Sequence, residues 1–205
     1  MTVPLTPALH LRAATADRHT ALEAQPLLAA LMATGLTRAR YAQLLNALHG
    51  FFAPLEDRLT ATHPALLAEL GYIARTPLLR TDLTRLGHPH SPMHCTALPP
   101  VDDKAQALGV LYVLEGSRLG GAVIARHLRQ HAALEVGDAL CFYESVGEAL
   151  APRWRGFTAA LDARLASPET LLRATEAACA TFSALTDWLS LLEASDAPQH
   201  APQPG

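Results

Sequence analysis

The stretch KAQALGVLYVLEGSRLGGAVIARHLRQ, residues 104–130, decides the fold of this chain. Asp102 and Asp103 precede it, and either carboxylate can cap a helix. Each glycine in a helix interior costs about 1 kcal/mol relative to alanine, so the glycines here need a reason. Either the backbone of a kinked helix lies against a flat ligand, or the helix packs closely on another helix. The glycines stand at four positions: Gly109, Gly116, Gly120 and Gly121.

Segments on both sides of this stretch also have helical periodicity. Thr37 can cap a helix from Arg38 to about Thr60, and Ser167-Pro168 opens a last helix that runs to about Ala194. Patterns typical of strands are scarce. Further helices are predicted over 5–31 with an interruption at Pro26, in a short segment from Pro64, from Thr76 to near Gly87, and over 145–165. We therefore predict an all-α, single-domain, multi-helix fold.

Composition and charge argue against several classes of protein. The chain has 205 residues, half of them hydrophobic, and a net charge of −3 without a basic stripe, which argues against nucleic-acid binding. Its three cysteines suggest no disulfide framework, as expected in a reducing cytosol. No signal peptide is visible, and the most apolar stretch, 105–114, is about half as long as a membrane crossing requires. We expect a soluble, cytoplasmic protein with a domain over 8–194, an extension over 1–7 and a disordered tail over 195–205.

His19, in the helical segment LRAATADRHTALE (residues 11–23), is the first candidate ligand. Arg12 lies seven positions earlier, on nearly the same face and roughly 10 Å away along the helix axis. This distance is close to the reach from a haem iron to its propionates. A neutral imidazole can ligate iron and a guanidinium can pair with a carboxylate, while Glu23 follows one turn later. The alternatives are a structural histidine and a solvated arginine.

A second group of potential ligands is GHPHSPMHC, residues 87–95. Imidazole and thiol groups at this spacing could bind zinc, but a second ligand pair is missing and the segment is rich in proline. We therefore favour a polar surface loop. The sequence also lacks a nucleophile elbow, a phosphate-binding loop and the paired ExxH motifs of a di-iron bundle. The candidate ligands are His88, His90, His94 and Cys95.

Four segments, in this order, resemble the haem oxygenase family, most closely its bacterial biliverdin-forming branch. They are LRAATADRHTALE (11–23), RARYAQLLNALHGFFAPLEDRL (38–59), ALGVLYVLEGSRLGG (107–121) and TFSALTDWL (181–189). The resemblance covers roughly residues 8–192. It implies the family's helical fold, in which haem lies between a proximal helix and a kinked distal helix.

The resemblance also implies roles for single residues. His19 would be the proximal iron ligand, with Glu23 beside it, and Arg12 would pair with one propionate. Arg155 is a candidate for the other propionate. Phe52 and Tyr112 are candidate pocket residues, with ordinary core packing as the alternative for both.

The distal wall implied by the resemblance consists of Gly116, Gly120 and Gly121, whose backbone would touch haem. In animal relatives an aspartate follows the first distal glycine and organises water, whereas this chain has Ser117. A hydroxyl can hold one water but lacks the charge of a carboxylate. Arg118, Glu115 or backbone groups would then have to anchor the remaining water.

The activity implied is cleavage of haem at a meso carbon, with haem and its iron serving as both cofactor and substrate. It would consume O₂ and electrons from an external donor, either a ferredoxin or a reductase, and release biliverdin, CO and Fe²⁺. A bilin-binding photoreceptor is a candidate acceptor of the product. The alternatives are a non-catalytic haem carrier or sensor of the same fold, and an unrelated helical module in which His19 and the glycines only pack.

Overall fold

The structure is a computed structural model that describes residues 5–88 and 91–196, and this part of the chain contains helices and no strands. The α-helices in chain order are α1 (Pro7–Glu23), α2 (Pro26–Ala29), α3 (Arg38–Thr62), α4 (Pro64–Glu69), α5 (Thr76–Arg85), α6 (Lys104–His131), α7 (Ala133–Val136), α8 (Leu150–Arg164) and α9 (Pro168–Asp196). Two 3₁₀ turns, Ala30–Met32 and Gly147–Ala149, extend α2 and precede α8. The prediction of an all-α fold is confirmed.

Side chains predicted as caps do begin the long helices. Of the two candidates before α6, the capping residue is Asp103, whose carboxylate accepts the Ala105 and Gln106 amides at 2.8 and 2.9 Å. Thr37 accepts the Arg40 amide at 3.2 Å, and Ser167 accepts the Thr170 amide at 3.1 Å. Each cap satisfies amides that have no partner inside the helix.

The centre of the fold is the packing of α6 and α1 on α9. At the crossing of α6 and α9, a Cβ on Gly109 would lie 2.0 Å from the Ala174 carbonyl oxygen, so only glycine allows this approach. On the other side of α9, the Cys179 thiol contacts the Ala14 carbonyl oxygen of α1 at 3.7 Å. The helices α1 and α6 therefore both pack on α9.

The predicted and observed boundaries differ in a few places. The predicted interruption at Pro26 is confirmed, since α1 ends at Glu23 and Pro26 begins α2. The helix α9 continues to Asp196, so the first two residues of the predicted tail are helical and 197–205 lie outside the described residues. The predicted extension 1–7 overlaps the Thr6 cap and the first residue of α1. The short helix α7 was not predicted.

The helix α6 is also long and apolar enough to cross a membrane, judged by length and composition alone. However, 61% of its most apolar window is buried inside the protein. A core helix of a soluble protein has the same property, because its apolar face packs on neighbouring helices. The packing on α9 therefore accounts for the apolar composition of α6.

Candidate functional site, a cleft between α1 and α6

The α1 wall of the cleft has an exposed histidine on an otherwise buried face. Leu11, Thr15 and Leu22 are buried, and the spacing of an α-helix places His19 on the same face. Nevertheless, the His19 side chain is 56% exposed. Because no side chain covers His19 on this face, we infer a ligand cleft that has α1 as one wall and α6 as the other.

One nitrogen of His19 is already engaged. The Glu23 carboxylate lies 3.4 Å from Nδ1, and the imidazole and the Phe182 ring are in a T-shaped arrangement with a centroid distance of 5.7 Å. A proton on Nδ1 directed at Glu23 leaves the lone pair of Nε2 free, which is the form that ligates a metal. The chemistry of this donor therefore fits a haem iron.

The α6 wall is bare backbone at two positions one turn apart. A Cβ on Gly120 would meet no atom within 4 Å, and Gly120 is exposed. A Cβ on Gly116 would lie 3.5 Å from the Trp154 ring of α8. Leu119 and Val123, on the same side of α6, are exposed apolar side chains. This apolar surface fits the face of a porphyrin.

Gly121, predicted to share that wall, lies on a different face of α6. It is buried, and a Cβ there would lie 3.4 Å from the Tyr143 carbonyl oxygen. Beside it, Arg118, Ala122 and Ala125 line a cavity of about 630 Å³. These positions point away from Gly116 and Gly120, because successive residues of a helix turn by about 100°. The structure therefore brings Gly116 and Gly120 together but separates Gly121 from them.

Tyr112 marks the place where α6 comes close to α1. Burial raises the pKa of its phenol, while Thr15 and the positive charge of Arg12 offset part of this shift. The Trp154 ring lies 5.9 Å from the Tyr112 ring, so α8 borders the same edge. Arg155, the next residue of α8, is exposed. Tyr112 is therefore bordered by Thr15 and Arg12 of α1 and by Trp154 of α8.

Ser117 has two described hydrogen bonds. Its hydroxyl donates to the Leu114 carbonyl oxygen at 2.8 Å and accepts from Nη1 of Arg75 at 2.5 Å. Ser117 itself is exposed, whereas Arg75 is 1% exposed. A buried guanidinium is thus linked by a hydrogen bond to an exposed serine of α6.

Arg118 and Glu115, the two side chains predicted to anchor the remaining water, make no described hydrogen bond with Ser117. Arg118 donates to the Ser145 hydroxyl and the Ile73 carbonyl oxygen, and Glu115 pairs with Arg153 at 2.7 Å. Both side chains are buried. They join α6 to α8 and to the loop before α5, so they stabilise the wall from behind.

Phe52 and the histidine-rich loop lie outside the cleft surface. Phe52 is buried and packs edge-on against Phe142 at 5.4 Å, beneath the Arg75 guanidinium. In the loop, the His94 ring lies 6.0 Å from the His49 ring, and His90 lies outside the described residues. Among the described residues, no three His, Cys, Asp or Glu side chains are grouped closely enough to hold a metal.

Sequence reasoning missed Arg75 and Phe142, which belong to the back of the α6 wall. Arg75 lies directly before the Thr76-Pro77 helix start, where it resembles an ordinary residue of a helix entrance. Phe142 lies in the segment after α7, which has no periodicity to interpret. The one available signal was a lone arginine among apolar neighbours in GYIARTP, residues 71–77.

Comparison with known proteins shows which family the sequence matches. A family model described as heme oxygenase matches residues 6–190 of the chain. A heme oxygenase of Xanthomonas campestris pv. campestris (strain 8004) is 38% identical over 144 residues, which cover 70% of this chain and 84% of that relative.

Solved structures of bacterial heme oxygenases have the same fold. The NO- and CO-bound enzyme from Neisseria meningitidis matches with a TM-score of 0.66 and 24% identity, covering 98% of this chain and 99% of its own. The enzyme from Leptospira interrogans matches with a TM-score of 0.72 and 19% identity, covering 91% and 100%. At these identities the likeness establishes the helical architecture.

Proposed function

Since the chain belongs to the haem oxygenase family, we propose that the cleft between α1 and α6 binds haem for ring opening, with His19 as the iron ligand. Family membership makes the chain an enzyme that degrades haem. The observation that carries the assignment of the site is the inward-facing but 56% exposed imidazole of His19. Its Nδ1 faces Glu23, which leaves Nε2 available to bind the iron.

The reaction cleaves haem at a meso carbon and yields biliverdin, CO and Fe²⁺. It requires O₂ and an external electron donor, either a ferredoxin or a reductase. We place the enzyme in the cytoplasm, with a bilin-binding photoreceptor as a candidate acceptor of the product. Haem supplies the oxygen chemistry when it is bound, and the protein supplies orientation, proton delivery and exclusion of competing reactions.

The propionates of haem are assigned to the edge where α6 and α8 meet α1. Arg12 is exposed and lies close enough to influence Tyr112, so a guanidinium and a phenol can bind one carboxylate there. Arg155 on α8 is exposed and free to bind the second. Two carboxylate partners on different helices would fix the rotation of haem in its plane, which selects the meso carbon.

The bare backbone of α6 determines what can approach the distal face of haem. Because Gly120 has no neighbouring atom within 4 Å of a Cβ position, the wall leaves room for O₂ beside the ring. Ser117 lies between Gly116 and Gly120 in the sequence, so it provides the hydroxyl group closest in sequence to these glycines. We assign it the role of holding one ordered water.

The test is haem titration and turnover of the wild type and of His19→Ala. We expect the wild type to take up one equivalent of haem and, with a reductant in air, to lose its Soret band as bilin absorbance rises. His19→Ala should remain folded by circular dichroism but lose the spectrum of a histidine-ligated iron. His10→Ala, which removes an exposed histidine of the same helix, is the matched control and should behave as the wild type.

Two results would contradict parts of this proposal. An unchanged haem spectrum in His19→Ala would exclude His19 as the ligand. A wild-type protein that keeps a stable Soret band under reductant and air, without bilin formation, would be a haem carrier or sensor.

A further inference from the structure

The end of α6 carries a pair of histidines, His127 and His131, one helical turn apart. Their imidazole rings lie against each other, with 4.5 Å between the ring centroids and 36° between the ring planes. Within the described part of the chain this ring contact is the interaction found for either imidazole, and neither makes a hydrogen bond or an ion pair there. His127 is half-buried and His131 is exposed. The ring nitrogens of both side chains are therefore available to a ligand from solvent.

The separation of the two rings suits a pair of metal ligands. A zinc–nitrogen bond is about 2.1 Å long, which puts the metal roughly 3.2 Å from the centre of each imidazole ring. For bond angles of about 90° to 110°, as in octahedral and tetrahedral sites, the two ring centroids are then roughly 4.5 to 5.2 Å apart. The observed 4.5 Å lies at the short end of this range. A metal ion can therefore join the two rings with little movement of either side chain.

The spacing in HLRQH, residues 127–131, is that of the two zinc-binding histidines in an HExxH helix. In that motif the glutamate after the first histidine acts as the general base. Here its position is taken by Leu128, which is buried. The pair thus supplies two metal ligands without a group to activate water, which indicates binding of a metal ion rather than hydrolysis.

The charges around the pair permit a cation. The helix α6 ends at His131, and the carbonyl end of a helix attracts positive charge. Arg129 is paired with Glu144, whose carboxylate accepts two of its hydrogen bonds at 2.6 and 2.8 Å. Arg126 is exposed, so solvent and salt screen its charge. Repulsion from these two arginines is therefore weakened by pairing and by screening.

The pair lies on the same side of α6 as the bare backbone of the cleft. His127 follows Gly120 by seven residues, which places it two turns later on nearly the same face and roughly 10 Å further along the axis. His131 follows roughly 6 Å beyond His127. The two imidazoles therefore stand beyond the glycine surface, at the end of the α6 wall.

We propose that His127 and His131 form a two-ligand site for a divalent transition-metal ion at the end of the α6 wall. Two histidines leave the other coordination positions of the ion to water. The ion that the cleft itself delivers is the Fe²⁺ released by ring opening, and this part of the inference rests on the proposed function. Fe²⁺ binds nitrogen ligands more weakly than Zn²⁺, so the pair would pass iron on rather than store it.

The experiment adds Zn²⁺ to the full chain without haem and follows the imidazole nitrogens by NMR. Because each histidine has its own resonances, binding at this pair is separated from binding at the other histidines. We expect the resonances of His127 and His131 to shift together as Zn²⁺ is added. In His127→Ala and in His131→Ala, the remaining histidine should bind about a hundredfold more weakly, because it loses the gain from a linked second ligand.

His10→Ala, which removes an exposed histidine of α1, is the matched control and should leave Zn²⁺ binding at the pair unchanged. Because His131 is exposed at the end of its helix, His131→Ala tests the proposal even if His127→Ala fails to fold. Resonances of His127 and His131 that do not respond to Zn²⁺ would overturn the metal site. So would a His127 resonance that responds at the same Zn²⁺ concentration in His131→Ala as in the wild type.

Fe²⁺ added without oxygen tests the link to the reaction. As a paramagnetic ion it should broaden the resonances of the same two histidines, at a higher concentration than Zn²⁺ requires. Unchanged line widths would overturn the role toward released iron, while the result with Zn²⁺ would stand. A wild type that bound Zn²⁺ at the pair but did not turn over haem would instead overturn the proposed function.

Discussion

The two walls of the cleft are built in opposite ways. On α1, His19 is exposed and its described polar contact is with Glu23, four residues later in the same helix. On α6, Gly116 and Gly120 present bare backbone, and the polar groups that support this wall are buried behind it. The α1 wall thus presents a potential ligand, His19, whose polar contact is exposed. The α6 wall presents no side chain at its two glycines, but buried polar groups hold it in place.

This difference separates ligand binding from stability. The α1 wall depends on an exposed pair, which contributes little to folding. The α6 wall depends on buried amides, carboxylates and close helix contacts, whose loss is costly. Substitutions of the exposed pair His19 and Glu23 should therefore change haem binding in a folded protein, whereas substitutions behind α6 should first lower the free energy of unfolding.

The largest effect is expected for Asp82→Ala. The substitution leaves the amides of Cys141 and Phe142, half-buried and buried respectively, without their acceptor and removes the anchor of the ring under Arg75. We expect the free energy of unfolding to fall by about 2–4 kcal/mol, measured by urea denaturation. Asp57→Ala, on an exposed position of α3, is the control and should change little. Equal stability of the two variants would show that the α6 wall does not depend on its buried support.

The helical glycines provide the next test, because two of them should respond with opposite signs. Gly109→Ala forces a methyl group against the Ala174 carbonyl oxygen, so we expect a loss of about 1–3 kcal/mol. Gly120→Ala meets open space, and alanine in a helix interior should raise the free energy of unfolding by about 0.5–1 kcal/mol. The same methyl group should weaken haem binding in a spectral titration. A Gly120→Ala protein that gained stability and bound haem normally would remove this position from the site.

The sequence predicted the α1 wall more completely than the α6 wall for a physical reason. His19, Glu23 and Arg12 belong to one helix, so regular spacing is sufficient to place them together. Gly121 follows Gly120 by about 100° of rotation, so helical spacing puts it on another face of α6, where it packs on Tyr143.

The support behind α6 could not be predicted in this way. Arg75 directly precedes α5, Asp82 lies in α5, Ser117 lies in α6 and Phe142 follows α7. No local pattern connects these positions. Their association depends on tertiary packing. Helix positions and caps were predictable, in contrast, because they depend on neighbouring residues.

The smallest and most specific effect is expected for Glu23→Gln. Both side chains of the His19–Glu23 pair are more than half exposed, so the free energy of unfolding should stay close to that of the wild type. A carboxylate facing Nδ1 makes an imidazole a more basic ligand, and glutamine does so less. We therefore expect haem uptake to persist, with a lower iron–histidine stretching frequency by resonance Raman and a higher reduction potential. If both values matched the wild type, Glu23 would be a surface residue beside the ligand, and Nδ1 of His19 would have no influence on the iron.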